Sequence, residues 1–168
     1  MDVSLLILRI VVGLYVLAHG GHKAFGWFRR AGHPDTLAYF QEARMMPPKV
    51  WMGVLGVTEL VGGGLFAIGL VSPLGSIAVA AVMLIYVFAI RLQRGWFEAS
   101  GGVELPLTNL AVAVAVGIVG PGVYSLDGAL NITLREFQIA IVAVLVAYLV
   151  VVAAINSVGF RRWWRARR

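Results

Sequence analysis

With 168 residues, 60% of them hydrophobic and only 13% charged, and a mean hydropathy of +0.88, the chain carries more apolar surface than a water-soluble core of its size can bury. At 18.1 kDa it has room for one domain of four or five spanning helices with short loops, and none for a separate soluble catalytic domain. The sequence has no cysteine, which excludes disulfides, a thiolate nucleophile and any cysteine-held metal or iron–sulfur centre. The net charge of +6 lies beside apolar segments, where topology and anionic lipid account for it better than nucleic acid does.

Residues 3–21 read as a first span, interrupted only by Arg9 and ending in His19-Gly20-Gly21-His22-Lys23. Asp2 stands where a signal peptide would be basic, and no small-x-small cleavage site precedes a polar start, so the segment is expected to be a permanent helix. Residues 24–50 form a basic loop. Within it residues 36–45 (TLAYFQEARM) predict a short helix with Asp35 as N-cap and Pro47-Pro48 as its stop. Leu37, Tyr39 and Phe40 against Gln41, Glu42 and Arg44 suggest a helix lying along the membrane surface.

The second span, residues 53–70 (GVLGVTELVGGGLFAIGL), holds one carboxylate, Glu59, in a run of about 20 apolar residues. An ionisable group at that depth is costly and normally faces other helices or a wet cavity. On a 3.6-residue period Gly56, Gly62, Gly63 and Phe66 fall on the same narrow stripe as Glu59. Small residues on one stripe mark a helix–helix contact in membranes, so this helix is expected at the centre of the bundle.

A tight turn at Val71-Ser72-Pro73 leads into a third span over residues 74–92, which ends at Arg91 and Arg94. A glycine-bearing loop (residues 95–102) precedes a fourth span, residues 105–119. Its alternating Val and Ala at 111–116 resemble a strand, but its length and the absence of partner strands favour a helix. Residues 122–131 (GVYSLDGALN) predict an exposed, turn-rich loop. Residues 137–160 are long enough for a fifth span with some tilt, followed by RRWWRARR. Residues 1–134 thus form a four-span unit, and 135–168 a fifth helix with a basic tail.

Of the 14 Lys and Arg residues, all but Arg9 and Arg135 fall between spans one and two, between spans three and four, or in the tail. The positive-inside rule then puts those segments in the cytoplasm, the N-terminus outside and the C-terminus inside. Gly-Trp-Phe recurs after spans one and three (26–28 and 95–97); three residues are a thin basis for a duplicated hairpin.

Counting depth at about 1.5 Å per residue puts Glu59 near mid-membrane, Arg9 several Å toward one side and His19 several Å toward the other. Two readings of Glu59 follow. A Glu59–Arg9 ion pair would fix helix packing; a Glu59 beside a cavity would handle a proton or anchor a polar head group. His19, His22 and Lys23 cluster at the end of span one, where snorkelling to head groups is the ordinary account. His19 and His22 lie three apart on one helix with no second histidine-bearing span, which makes a poor metal or haem ligand set, and no metal site is expected. Glu104, with Thr108 and Asn109 one turn on, is a second polar cluster. Should Lys23 and Glu104 close on each other below Glu59, they and Asn109 would frame a polar mouth to the interior.

The ordered segments LLILRIVVGLYVLAHGGHKAFGWF, GVTELVGGGLFAIGL, GWF with GGVELPL, and GPGVYSLD together resemble the DoxX family of small bacterial and archaeal membrane proteins, over about residues 4 to 130. The resemblance implies an all-α integral membrane protein built on a four-helix bundle, here with a fifth C-terminal helix that departs from the usual unit. Arg9, His19, Lys23, Glu59 and Glu104, with Asp127 in the outer loop, stand at the family's recurring polar positions. It also implies residence in the bacterial inner membrane and an association with membrane redox chemistry. Some members are small subunits of thiosulfate:quinone oxidoreductases, and others belong to oxidative-stress and thiol-homeostasis systems. The leading expectation is therefore a membrane subunit that binds a lipophilic molecule such as a quinone, with redox subunits as partners. Two expectations of other kinds stand beside it. One is a non-catalytic anchor that recruits cytosolic enzymes or anionic lipid through its arginines; the other is a carrier of a small anion or a proton, which would need a homo-oligomer.

Overall fold

The computed structural model describes residues 1–28, 36–43, 45–91 and 94–132. Every regular element among them is helical: α1 (Asp2–Phe25), α2 (Thr36–Glu42), α3 (Pro48–Ile68), α4 (Ser72–Ile85), α5 (Glu104–Val119) and the single turn α6 (Leu126–Ala129). The expected fifth span and arginine tail, and Asp35 as a cap, lie outside the described residues.

The helix boundaries follow from local chemistry. Gly26 ends α1 with φ 71° and Gly69 ends α3 with φ 65°, conformations that cost a residue without a Cβ least. Pro48 opens α3 at a position where its missing N–H costs nothing. Beyond Ile85 the fourth helix widens into a π-helical stretch, Tyr86–Arg91. The Val/Ala-alternating segment is helical, as expected, because a lone segment in lipid has no other way to pair its backbone.

α1 and α3 form the closest pair, and their register can be read from glycines. A Cβ added to Gly13 would lie 2.7 Å from the backbone of Ala67, and one on Gly63 would lie 2.6 Å from the Leu17 nitrogen and 2.8 Å from the Gly13 carbonyl. Gly20 lies against the backbone of Leu60 and Gly56. The helices run antiparallel, with Gly13 opposite Ala67, Leu17 opposite Gly63, and Gly20 opposite Leu60. Glycines seven apart on each helix (13 and 20; 56 and 63) keep the same faces together over two turns.

α4 packs on α3 and α5 on α4, and a shorter contact between α5 and α1 closes the ring. Gly62 turns to α4, where a Cβ would collide with the Ala78 methyl, while Gly75 lets α4 approach the backbone of Phe66. The Glu59 stripe therefore serves two neighbours: Gly56 and Gly63 face α1, and Gly62 and Phe66 face α4.

The loops are tied to the bundle more closely than their local pattern predicts. In α2 Phe40 is fully buried, as is Met45 after it, so the helix packs one aromatic edge against the bundle. Residues 122–131 are not simply an exposed loop. Ser125 caps α6 by accepting the Gly128 N–H at 3.0 Å, and Asp127 is buried, accepting the N–H groups of Val71 at 2.8 Å and Ser72 at 2.7 Å. Asp127 thus serves as the missing cap of α4, whose start lacks a side-chain cap of its own.

The outer surface is apolar as well as the core, and charged side chains lie inside. Val3, Ile7, Val11 and Leu14 on α1, Val54, Val57 and Val61 on α3, and Ile118 on α5 are exposed, whereas Arg9 and Glu59 are each only 1% exposed. α1, α3 and the continuous segment Ser72–Arg91 are each long and apolar enough to cross a bilayer, and α5 is a shorter apolar helix.

Candidate functional site

The register decides what Glu59 meets. Lys23 leaves α1 one turn beyond Gly20 and reaches back to Glu59. Its ammonium donates to Oε2 of the carboxylate, and both side chains are shielded (7% and 1% exposed). Tyr86, the first residue of the π-helical stretch, donates its hydroxyl to Oε1 at 2.8 Å, and the Lys23 ammonium stands 5.2 Å from the Tyr86 ring centroid. Each oxygen of the buried acid is thus held by a separate helix, α1 on one side and the end of α4 on the other. A buried charge needs such pairing to be tolerated.

Arg9 is not the partner of Glu59. It lies level with the turn after α3, about 18 Å along the axis from Glu59 at the helical rise. Its guanidinium packs on Gly69 and donates to the carbonyls of Pro121 and, at 2.7 Å, Tyr124. Arg9 and Asp127 together tie the far end of the bundle shut: one gathers the carbonyls of the α5–α6 loop, the other the amides at the start of α4.

Beside the Lys23–Glu59–Tyr86 triangle lies a cavity of about 350 Å³ between α1, α2 and the α4–α5 pair. Tyr15, Val16, Phe28, Tyr39, Met83 and Pro106 supply apolar and aromatic walls, and His19, Lys23, Glu59, Arg91 and Asn109 supply polar groups. His19 donates its Nδ1–H to the Tyr15 carbonyl at 3.1 Å and stacks on the Tyr15 ring, with centroids 4.3 Å apart. That bond leaves Nε2 turned away from the helix backbone. A second cavity of about 390 Å³ adjoins at the basic end, and His22, Lys23 and Thr36 border both. Lys23 therefore stands between the two spaces.

Of the polar mouth expected from Lys23, Glu104 and Asn109, two members meet and one does not. Asn109 lines the cavity with Lys23. Glu104 is exposed and accepts the Glu98 N–H at 3.1 Å, a loop role outside the cavity. Arg91 takes its place at the rim, held by Glu98 at 2.5 Å and by the Gly102 carbonyl at 3.2 Å. Arg94 anchors α2 from the same end, paired with Glu42 at 3.1 Å and lying 4.7 Å from the Tyr39 ring centroid. Tyr86 and Arg91 were not legible as site residues. In the sequence Tyr86 is one aromatic in an apolar run, and the π-helical turn that aims it at Glu59 has no composition signal.

Helices with apolar outer faces and ionisable side chains turned inward define a multi-pass membrane protein. The DoxX family model matches residues 4–92, more than half of the chain, and the protein belongs to the DoxX family. That match spans Arg9, His19, Lys23, Glu59, Tyr86 and Arg91, but not Asn109, Glu104 or Asp127. No curated protein and no solved structure matches the chain.

Proposed function

We propose that this DoxX protein is the membrane subunit of a redox system, and that it binds a flat lipophilic molecule with an oxygen-bearing head, of the quinone class, in the cavity beside Glu59. The observation that carries the reading is a buried carboxylate, held at both oxygens, forming part of the wall of an aromatic-lined space between helices. Ligand sites are concave and mostly apolar, with a few fixed polar groups, and begin at about 300 Å³; this cavity fits that description.

The donor set also suits a carbonyl-bearing ring. Lys23 has N–H groups beyond the one given to Glu59, and Asn109 carries a buried amide nitrogen with no protein partner. Tyr15, Tyr39 and Phe28 would flank the ring. When bound, a quinone supplies two-electron, two-proton chemistry, and partner subunits would supply the electrons. The chain's own residues bind and orient the head, and the Lys23–Glu59 pair keeps a charged couple at its edge without net charge.

The end that carries Lys23, α2, Arg91 and Arg94 is the basic one, which favours its lying on the cytoplasmic side of a bacterial inner membrane with the N-terminus outside. Purification of the full chain in mild detergent, followed by an inventory of bound lipids and quinones, tests the reading. Wild type is expected to retain quinone, and Ala18→Trp, which puts an indole into the cavity wall, is expected to lose it while keeping its helical circular dichroism. Equal retention by both, or a soluble enzyme as the sole companion, would favour the anchor instead. The carrier reading predicts proteoliposome transport abolished by Glu59→Gln.

A further inference from the structure

We infer, independently of the ligand class put forward above, that the second cavity is an aqueous antechamber, and that water and protons reach the Lys23–Glu59 pair through it from the basic end of the bundle alone. The two ends of the bundle differ in what lies between the buried acid and the outside.

Toward the far end the bundle is packed shut. Between the cavity beside Glu59 and the level of Arg9, each spanning helix contributes a buried apolar side chain: Val12 on α1, Phe66 on α3, Val79 on α4 and Ala113 on α5. All four belong to one contiguous core cluster. Beyond them Arg9, donating to the carbonyls of Pro121 and Tyr124, and Asp127, accepting the amides of Val71 and Ser72, tie the loops across the end. A close-packed apolar layer offers water neither room nor hydrogen-bonding partners.

Toward the basic end there is both room and polarity. The second cavity, about 390 Å³, lies among the last turn of α1 (residues 22–26), Thr36 and Leu37 at the start of α2, and Met52 near the start of α3. Its wall carries the His22 imidazole, the Lys23 ammonium and the Thr36 hydroxyl, and the same three residues border the cavity beside Glu59. Space for several waters, with three hydrogen-bonding groups on the wall, is what a hydrated cavity requires. Lys23 divides the two spaces. Its ammonium donates to Oε2 of Glu59 and keeps N–H groups for a second acceptor. A water bound to Lys23 from the antechamber is therefore one ammonium removed from the buried carboxylate. Proton exchange with any head group beside Glu59 is thereby tied to one side of the membrane.

The lack of native cysteine makes the test direct. Sulfonatoethyl methanethiosulfonate is charged, does not cross lipid and reacts with a thiolate, so its reaction marks a site that water reaches. Single-cysteine variants of the full chain are labelled in sealed membrane vesicles of both orientations. Trp96→Cys at the basic end and Leu126→Cys at the far end, both exposed, report which face is outward. Met83→Cys, on the wall of the cavity beside Glu59, is expected to react where Trp96→Cys reacts. Where Leu126→Cys reacts it should be slower by about tenfold or more, since a thiol without access to water forms little thiolate. Met52→Trp, which puts an indole into the antechamber, should slow Met83→Cys by about tenfold and leave Trp96→Cys unchanged. Should Met83→Cys lose wild-type helicity, Ala18→Cys on the same cavity wall takes its place. Three results would overturn the inference: faster reaction from the far face, a rate indifferent to Met52→Trp, or no reaction from either face by a thiol that labels after denaturation. Quinone retention is read in a separate measurement, so none of these results decides the proposed function.

Discussion

Lys23→Met is expected to destabilise the bundle by about 3–5 kcal/mol, because it leaves the Glu59 carboxylate buried without its cation. Reversible unfolding followed by helical circular dichroism, in detergent of fixed composition, measures it. The double variant Lys23→Met/Glu59→Leu should recover most of the loss, since apolar replacement of both members of a buried pair is often close to neutral. Arg9→Met should also destabilise, through the carbonyls of Pro121 and Tyr124 that it abandons, but additively with Glu59→Leu, since sites this far apart do not couple. Strong coupling of residue 59 to residue 9, and none to residue 23, would contradict the register of Gly13 opposite Ala67 and Gly20 opposite Leu60.

Gly63→Leu is expected to be as severe. Its Cβ alone would fall 2.6 Å from the Leu17 nitrogen, and a backbone cannot yield as the tip of a flexible side chain can. α1 and α3 would have to separate, opening the face that holds Lys23 against Glu59. A loss above about 3 kcal/mol is expected, at the upper end of what overpacking does, together with loss of ligand retention. Gly53→Ala is the internal control. Nothing lies within 4 Å of its Cβ position, so the change should be neutral or stabilise by up to about 1 kcal/mol through helix propensity alone. Equal effects at the two positions would contradict close glycine packing between these helices.

The sequence carried much of this arrangement. The cost of a carboxylate in an apolar run singled out Glu59, and the glycines on its stripe marked α3 as the central helix. The partner of Glu59 is not legible in the sequence from depth alone, because depth counting treats each span separately and allows any cation within a few ångström. Glycines spaced by seven on both α1 and α3 contain the pairing that depth counting lacks: set against each other, they bring Lys23 to Glu59 and carry Arg9 away. By sequence Glu104 groups with Lys23, since both lie at the same end of their helices, but it is committed to the Glu98 amide. The burial of Phe40 and Asp127 was beyond local pattern, since each depends on which loop folds over which bundle end.

Photolabelling of the full chain in nanodiscs with an azido-substituted benzoquinone, followed by peptide mapping, decides whether a lipophilic ring binds in the space beside Lys23, Glu59 and Tyr86. Adducts are expected on residues of the cavity wall, among them Tyr15, His19, Met83 and Asn109, and should be suppressed by excess unlabelled quinone. Adducts spread over the outward-facing side chains Val3, Val11, Val57 and Ile118, and indifferent to competitor, would mean that the ring only dissolves in the surrounding lipid and that the cavity is not its site.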